Sequence, residues 1–194
     1  MQGFMACPRC GALLRPSLVR GEGPWNQRWR AGLADDRQHI PFDNLEADVL
    51  TPDGTVVELQ YGYLSRQDIR ERQLVYPSMV WLFCAVDAHR KGRLGLRIEP
   101  GQPLVNFKWV QPRETLDACT RPVFLDLGPS AQAGNRHLIL KITRKHDQPG
   151  HALTGRGLLY TADVFHDWMA HGTALTEWIC GQDDLANTST TDAA

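Results

Sequence analysis

Asp48, Glu58 and Gln60 are the residues of this sequence whose types and spacing can do chemistry together. They flank Pro52-Asp53-Gly54, where proline pre-sets the first turn residue and glycine supplies a positive φ. A three-residue loop of this kind joins two antiparallel strands, usually as a type I turn followed by a glycine bulge. Pairing Thr51 with Thr55 and counting three residues outward on each strand sets Asp48 opposite Glu58. Directly opposed residues share a sheet face, with Cβ atoms about 4.5–5.5 Å apart. Gln60, two residues beyond Glu58, lies on that face too. Two carboxylates this close repel each other. A hard divalent cation compensates them: Mg²⁺ takes one or two carboxylates, keeps several waters and binds phosphate oxygens. It lowers the pKa of a bound water and stabilises charge developing on phosphate. The backbone carbonyl of Leu59, between Glu58 and Gln60, is a further oxygen ligand in that reading. The alternative is a pair of acids on the solvent face of an edge hairpin.

A second constellation is Cys7-Pro8-Arg9-Cys10-Gly11, half of a zinc-ribbon knuckle. Thiolates at this spacing hold one Zn²⁺ from two sides, but a structural zinc takes four ligands, and no second Cys-x-x-Cys follows. Zinc completed by other residues and a plain turn with free thiols both remain open. Cys84 reads as core, and Cys119 and Cys180 carry no assignment. The seven histidines form no spaced ligand set; His39 precedes the hairpin but reads as a loop residue.

The elements that position these residues begin at Pro24, which opens a helix through Leu33 and aligns Trp25, Trp29 and Leu33 on one apolar face. The hairpin strands are Leu45 to Thr51 and Thr55 to Tyr61. Ser65 and Asp68 form a capping box, with Leu64 and Ile69 at hydrophobic-staple positions, so a helix follows and ends before Pro77. Met79 to Val86 is an apolar run, as expected of a strand buried on both faces. Residues 87–103 read as a loop or an irregular strand pair. Strands are expected at Val105 to Val110, Val123 to Leu127 and Leu138 to Ile142, a short helix at Arg113 to Cys119, and a helix capped by Thr161. The organisation that results is an appendage over 1–23, a core over 24–100, an α/β extension packed on it over 101–181, and a polar, disordered tail over 182–194.

Twenty-one Lys and Arg against 22 Asp and Glu give a net charge of −1 in 194 residues, which excludes a strongly basic coat. Charge is nevertheless segregated: Arg66, Arg70 and Arg72 cluster on the helix after the hairpin. They read as phosphate contacts or as a solvated charged face. No run is long enough to span a membrane, the first residues lack the apolar stretch of a signal peptide, and five cysteines without framework spacing fit a reducing compartment. A cytoplasmic protein is the expectation.

The words around the acidic pair carry more. Ala47-Asp48-Val49-Leu50-Thr51-Pro52-Asp53-Gly54, Val56-Val57-Glu58-Leu59-Gln60, Leu64-Ser65, Asp68-Ile69-Arg70-Glu71-Arg72, Tyr76 and Val80-Trp81-Leu82-Phe83 resemble the CoiA-like competence-protein family of the PD-(D/E)XK nuclease superfamily. The match covers roughly residues 22–86. A looser one runs from Arg113 to Gly128 through Pro122-Val123-Phe124-Leu125-Asp126-Leu127-Gly128. The resemblance implies a restriction-endonuclease-like αβββαβ core, with Asp48 and Glu58 as Mg²⁺ or Mn²⁺ ligands and Gln60, in the family's lysine position, placing the water or the scissile phosphate. It puts a further acidic residue near the first helix, at Glu22. Asn26 and Gly62 depart from the family pattern, which has His and Ser there. The implied activity is hydrolysis of DNA phosphodiester bonds, with a homodimer or a protein partner left open. The competing expectations are an inactive nucleic-acid-binding relative and a zinc-ribbon interaction module.

Overall fold

The computed structural model describes residues 5–6, 13–14, 23–148 and 152–180. Two short strands, β1 (Met5–Ala6) and β2 (Leu13–Leu14), pair antiparallel and bracket the cysteine segment. Cys7, Cys10, Glu22 and the 182–194 tail lie outside the described residues.

From Gly23 onward the order is α1 (Pro24–Arg30), β3 (Gln38–Phe42), β4 (Leu45–Leu50), β5 (Val56–Gln60), α2 (Arg66–Val75) and β6 (Met79–Cys84). There follow α3 (Val86–Arg90), β7 (Leu94–Arg97), β8 (Leu104–Val110), β9 (Val123–Ser130), β10 (Arg136–Gln148), β11 (Ala152–Thr161) and α4 (Ala162–His171). Nine strands make one mixed sheet, β3-β4-β5-β6-β9-β10-β11-β8-β7. The chain is thus an α/β protein in which β5, β6 and β9 run parallel and the other neighbours antiparallel. The sheet continues across residue 100: β9 pairs directly with β6, so the later half extends the same layer edge to edge.

Strand β6 shows why the sheet lies in the middle. Trp81 and Phe83 face one apolar cluster, with Ile69 and Tyr76 from α2 and its C-terminal end and Ala88 of α3. Val80 and Leu82 face a second, with Trp25 and Trp29 of α1 and Phe165, Trp168 and Met169 of α4. A period of two in a strand that is apolar throughout demands cover on both sides, and two helices on each side supply it.

The hairpin turn forms as its residues dictate. Gly54 takes φ +83°, its N–H donates to the Thr51 carbonyl at 3.0 Å, and Thr51 N–H donates to the Thr55 carbonyl at 2.9 Å. The ladder then continues as Leu50↔Val56 and Val49↔Val57. The capping box is present as well: Asp68 N–H donates to Ser65 Oγ and Ser65 N–H to Asp68 Oδ2, each at 3.1 Å. The Thr161 hydroxyl accepts from Val164 N–H at 3.4 Å.

Three expectations change. The first helix stops at Arg30, and Leu33 is buried from the connection that follows. The segment 87–103 holds α3 and the edge strand β7. Arg113 to Cys119 contains only a 3-10 turn, Glu114–Ala118.

Candidate active site

The predicted register holds to Val49↔Val57 and ends there. One residue further the two strands part, at Asp48 and Glu58. Thr51 and Thr55 form a hydrogen-bonded pair, and such pairs recur at every second residue, so Leu59 N–H would next meet the Ala47 carbonyl. Instead it donates to Asp48 Oδ2 at 2.7 Å. The carboxylate thus replaces a main-chain acceptor and wedges the sheet open. N–H and C=O of one strand residue face the same neighbour, so the Leu59 carbonyl also faces the gap.

Each carboxylate has its own guanidinium. Arg30, at the end of α1, donates through Nη2 to Asp48 Oδ1, and Arg72 of α2 donates through Nε to Glu58 Oε2 at 3.1 Å. The repulsion that pointed to a cation is therefore already offset by two arginines, one from each helical layer. Arg30 also meets His39 Nε2 at 3.1 Å, and His39 Nδ1 lies 2.8 Å from Glu46 Oε1. This gives the histidine a place beside the site.

Burial sets the proton affinities. It pushes the Asp48 carboxyl above the ordinary carboxylate range, against the pull of Arg30, the Leu59 N–H and Arg72. Burial and then the Asp48 charge push Glu58 up to about 8, against Arg72 and the Tyr76 hydroxyl. Glu58 is 3% exposed, and neither its Oε1 nor the Tyr76 hydroxyl has a well-formed hydrogen bond. A buried polar atom without a partner is costly, and a hard cation is a partner that Oε1 lacks. Asp48, Glu58 Oε1 and the Leu59 carbonyl suit Mg²⁺, which binds through few protein oxygens and keeps its waters. Among the described residues, no group of three or more His, Cys, Asp or Glu is assembled for a metal.

Gln60 donates from its amide to the Gly62 carbonyl at 2.8 Å, so its side chain is turned along the chain leaving β5. The three arginines separate. Arg72 belongs to the Glu58 pair, Arg66 pairs with Asp117 at 2.8 Å on the surface, and Arg70 is exposed with no ion pair to a described residue.

Spacing gave no hint of a second polar centre, Asp126 on β9, which is fully buried. Its Oδ2 accepts from Trp25 Nε1 at 2.7 Å, Arg28 Nη2 at 2.9 Å and Trp29 Nε1 at 3.0 Å. Its Oδ1 accepts from Gly128 N–H at 2.8 Å and meets His137 Nε2 at 2.5 Å. Burial alone raises such a carboxyl; the bond and charge of His137, then Trp25 and the Gly128 N–H, hold it below the ordinary range. The i, i+4 tryptophans therefore deliver two indole donors to one acid, which docks α1 and aims Arg30 at Asp48. The quoted word Leu125-Asp126-Leu127-Gly128 was the only trace of this centre in the sequence.

Compared with models of protein families, with curated proteins and with solved structures, the chain matches none of them.

Proposed function

We propose that this chain is a metal-dependent nuclease that hydrolyses DNA phosphodiester bonds at the gap between β4 and β5. One observation carries the reading: the β4–β5 ladder ends before Asp48, whose carboxylate takes the Leu59 N–H, next to the buried Glu58 carboxyl. The order α1-β3-β4-β5-α2-β6 supports it, being the αβββαβ succession of restriction-endonuclease-like cores.

Asp48, Glu58 and the Leu59 carbonyl would hold Mg²⁺ or Mn²⁺. When bound, the ion would supply the acidified water and the counter-charge for phosphate. The chain's own residues have separable tasks. Glu58, raised to about 8, keeps its proton at neutral pH until a stronger positive partner displaces it. Arg30 and Arg72 fix the two carboxylates between the helical layers. Gln60 cannot take up a proton; once its amide leaves the Gly62 carbonyl, it would orient a water or a phosphate oxygen. Arg70 offers an exposed positive charge on α2.

A second reading is a relative that binds nucleic acid without cutting it. It is favoured by the pairing of both carboxyl groups with arginines, which gives each a charged partner without a cation. Incubation of the protein with single- and double-stranded DNA in Mg²⁺ or Mn²⁺ decides between them. Cleavage that disappears in Asp48→Asn, with circular dichroism unchanged, supports the nuclease. Intact DNA in every divalent ion, with binding retained in Ca²⁺, supports the binding relative.

A further inference from the structure

Strands β10, β11, β8 and β7 make up the far end of the sheet, and only one of their faces is covered along its whole length. Val105, Phe107 and Trp109 of β8 and Leu153 and Leu159 of β11 face the cluster that holds Trp81 and Phe83. Period two sends their neighbours to the opposite side, where α1 and α4 pack over Ile139 and Tyr160. Further along the same strands, Lys108 and Arg156 on that side are exposed.

A bulge brings more charge to this face. Leu138, Leu140 and Ile142 of β10 face the covered side, so period two would turn Arg144 inward after them. The register shifts instead, with Ile142 opposite Gly157 and Arg144 opposite Arg156. One extra residue exchanges the two faces for everything beyond it. Arg144 and His146 thereby come out beside Arg156 and Thr154, both exposed. The row runs on through Asn106 to Arg97 on the edge strand.

Like charges directly opposite each other destabilise a sheet, and this pair is not balanced from within. Arg144, Arg156 and Lys108 have no ion pair to a described residue, whereas Arg97 is answered by Glu99 at 3.2 Å and Lys141 lies over the Phe124 ring. No acid occupies a register position of this face in the four strands. On adjoining segments, Glu177 stands beside the Tyr160 hydroxyl, and Asp163 shares a small pocket with Arg28 and His137. Opposed and diagonal neighbours on a sheet lie about 5 and about 7–8 Å apart, so the three unanswered cations grip one patch.

Such an array complements a polyanion. The face carries no Phe, Tyr or Trp on which unpaired bases would stack, so its contacts go to backbone and the bases can stay paired. We propose that this face docks the phosphate backbone of duplex DNA through Arg144, Arg156 and Lys108, indifferent to sequence because phosphates carry no base information. The choice of DNA among polyanions rests on the nuclease reading.

Fluorescence anisotropy with a short duplex, in EDTA and across a salt series, tests the face without turnover. In the triple variant Arg144→Gln, Arg156→Gln, Lys108→Gln the log–log salt slope should be shallower by about 2.7, at 0.9 per phosphate contact. The wild-type advantage should then shrink about 40-fold between about 50 and about 200 mM salt, and a duplex of different sequence should behave alike. Arg156→Gln alone removes the repulsion and should be no less stable than wild type in urea unfolding. A loss of stability would mean that the pair is answered within the chain, which overturns the proposal, as does an unchanged slope or no binding of duplex at any salt. Capture by phosphatidylserine vesicles with DNA left unbound makes the face a membrane contact instead and overturns it too. A protein that binds duplex as expected but leaves it intact in Mg²⁺ loses the nuclease reading and keeps the face. One that cuts DNA with the slope unchanged keeps the nuclease and loses the face.

Discussion

Glu58→Gln removes a titrating carboxyl from a place where the folded chain resists its ionisation. Burial and the Asp48 charge push that carboxyl from an ordinary 4.5 up to about 8. Between those values the folded chain holds a proton that the unfolded chain has released. The folded state then binds more protons than the unfolded one, so stability falls as pH rises, by up to about 1.4 kcal/mol per unit. The contribution is fully present below 4.5 and is lost as pH climbs through about 8. Across the whole interval the loss is on the order of 5 kcal/mol, comparable with the entire stability of a marginal domain. Glutamine nearly reproduces the shape of the protonated acid, keeps an acceptor for Arg72 and cannot ionise. Urea unfolding from about pH 5 to about pH 9 reads the difference. The two proteins should be alike at the acid end. Wild type should then decline with pH more steeply than the variant, in which the raised Asp48 still titrates with the same sign. A variant less stable than wild type at the alkaline end would refute the reasoning, because the ionised Glu58–Arg72 pair would then outweigh the cost of burying its charge.

Asp48→Ala takes away the acceptor of the buried Arg30 and of the Leu59 N–H; it should cost about 3–5 kcal/mol in urea unfolding, and a cost equal to that of Asp48→Asn would deny the wedge its role. Since a cation and a proton compete for Glu58, Ca²⁺ affinity measured by calorimetry should rise up to tenfold per pH unit and level off above about 8; a pH-independent affinity would put the ion elsewhere. Trp25→Phe deletes one of the indole donors to Asp126 and should lower unfolding free energy by about 1–3 kcal/mol, whereas an unchanged midpoint would mean that the other donors suffice. Arg70→Ala should reduce the log–log salt slope of DNA binding by about 0.9 for one duplex phosphate contact, and an unaltered slope would remove this face of α2 from the interface.

What could be read from the sequence was what neighbours in the chain decide. The turn Pro52-Asp53-Gly54 set the hairpin register, Ser65 and Asp68 set the start of α2, and the apolar run from Met79 named β6. Strand β3 was hidden because Pro41 interrupts it, His39 takes a positive φ, and its burial alternates only weakly. Strand β11 was hidden too: Gly155 and Gly157 break its pattern, at a place where a side chain would meet the Arg144 and Lys141 carbonyls at 2.1 and 2.4 Å. At the acidic pair, the spacing found the carboxylates and did not show the arginines beside them. Arg30 lies 18 residues from Asp48 and Arg72 lies 14 from Glu58, distances at which no local rule links a charge to its partner. Asp126 was beyond reach for the same reason, with donors 97 to 101 residues away on α1.

That separation orders events as the chain folds. α1 is among the first described elements to be made, yet the acid that accepts both of its indoles arrives about a hundred residues later. Contacts between distant parts of a chain form late, because closing the loop between them costs entropy before it returns any interaction. Until β9 slides in beside β6, Trp25 and Trp29 have no acceptor there and β6 is a bare, apolar sheet edge, the kind that invites pairing with another chain. A nascent or truncated polypeptide ending near residue 100 would carry Asp48, Glu58 and Gln60 in full and still lack the anchor that aims Arg30 at the first of them.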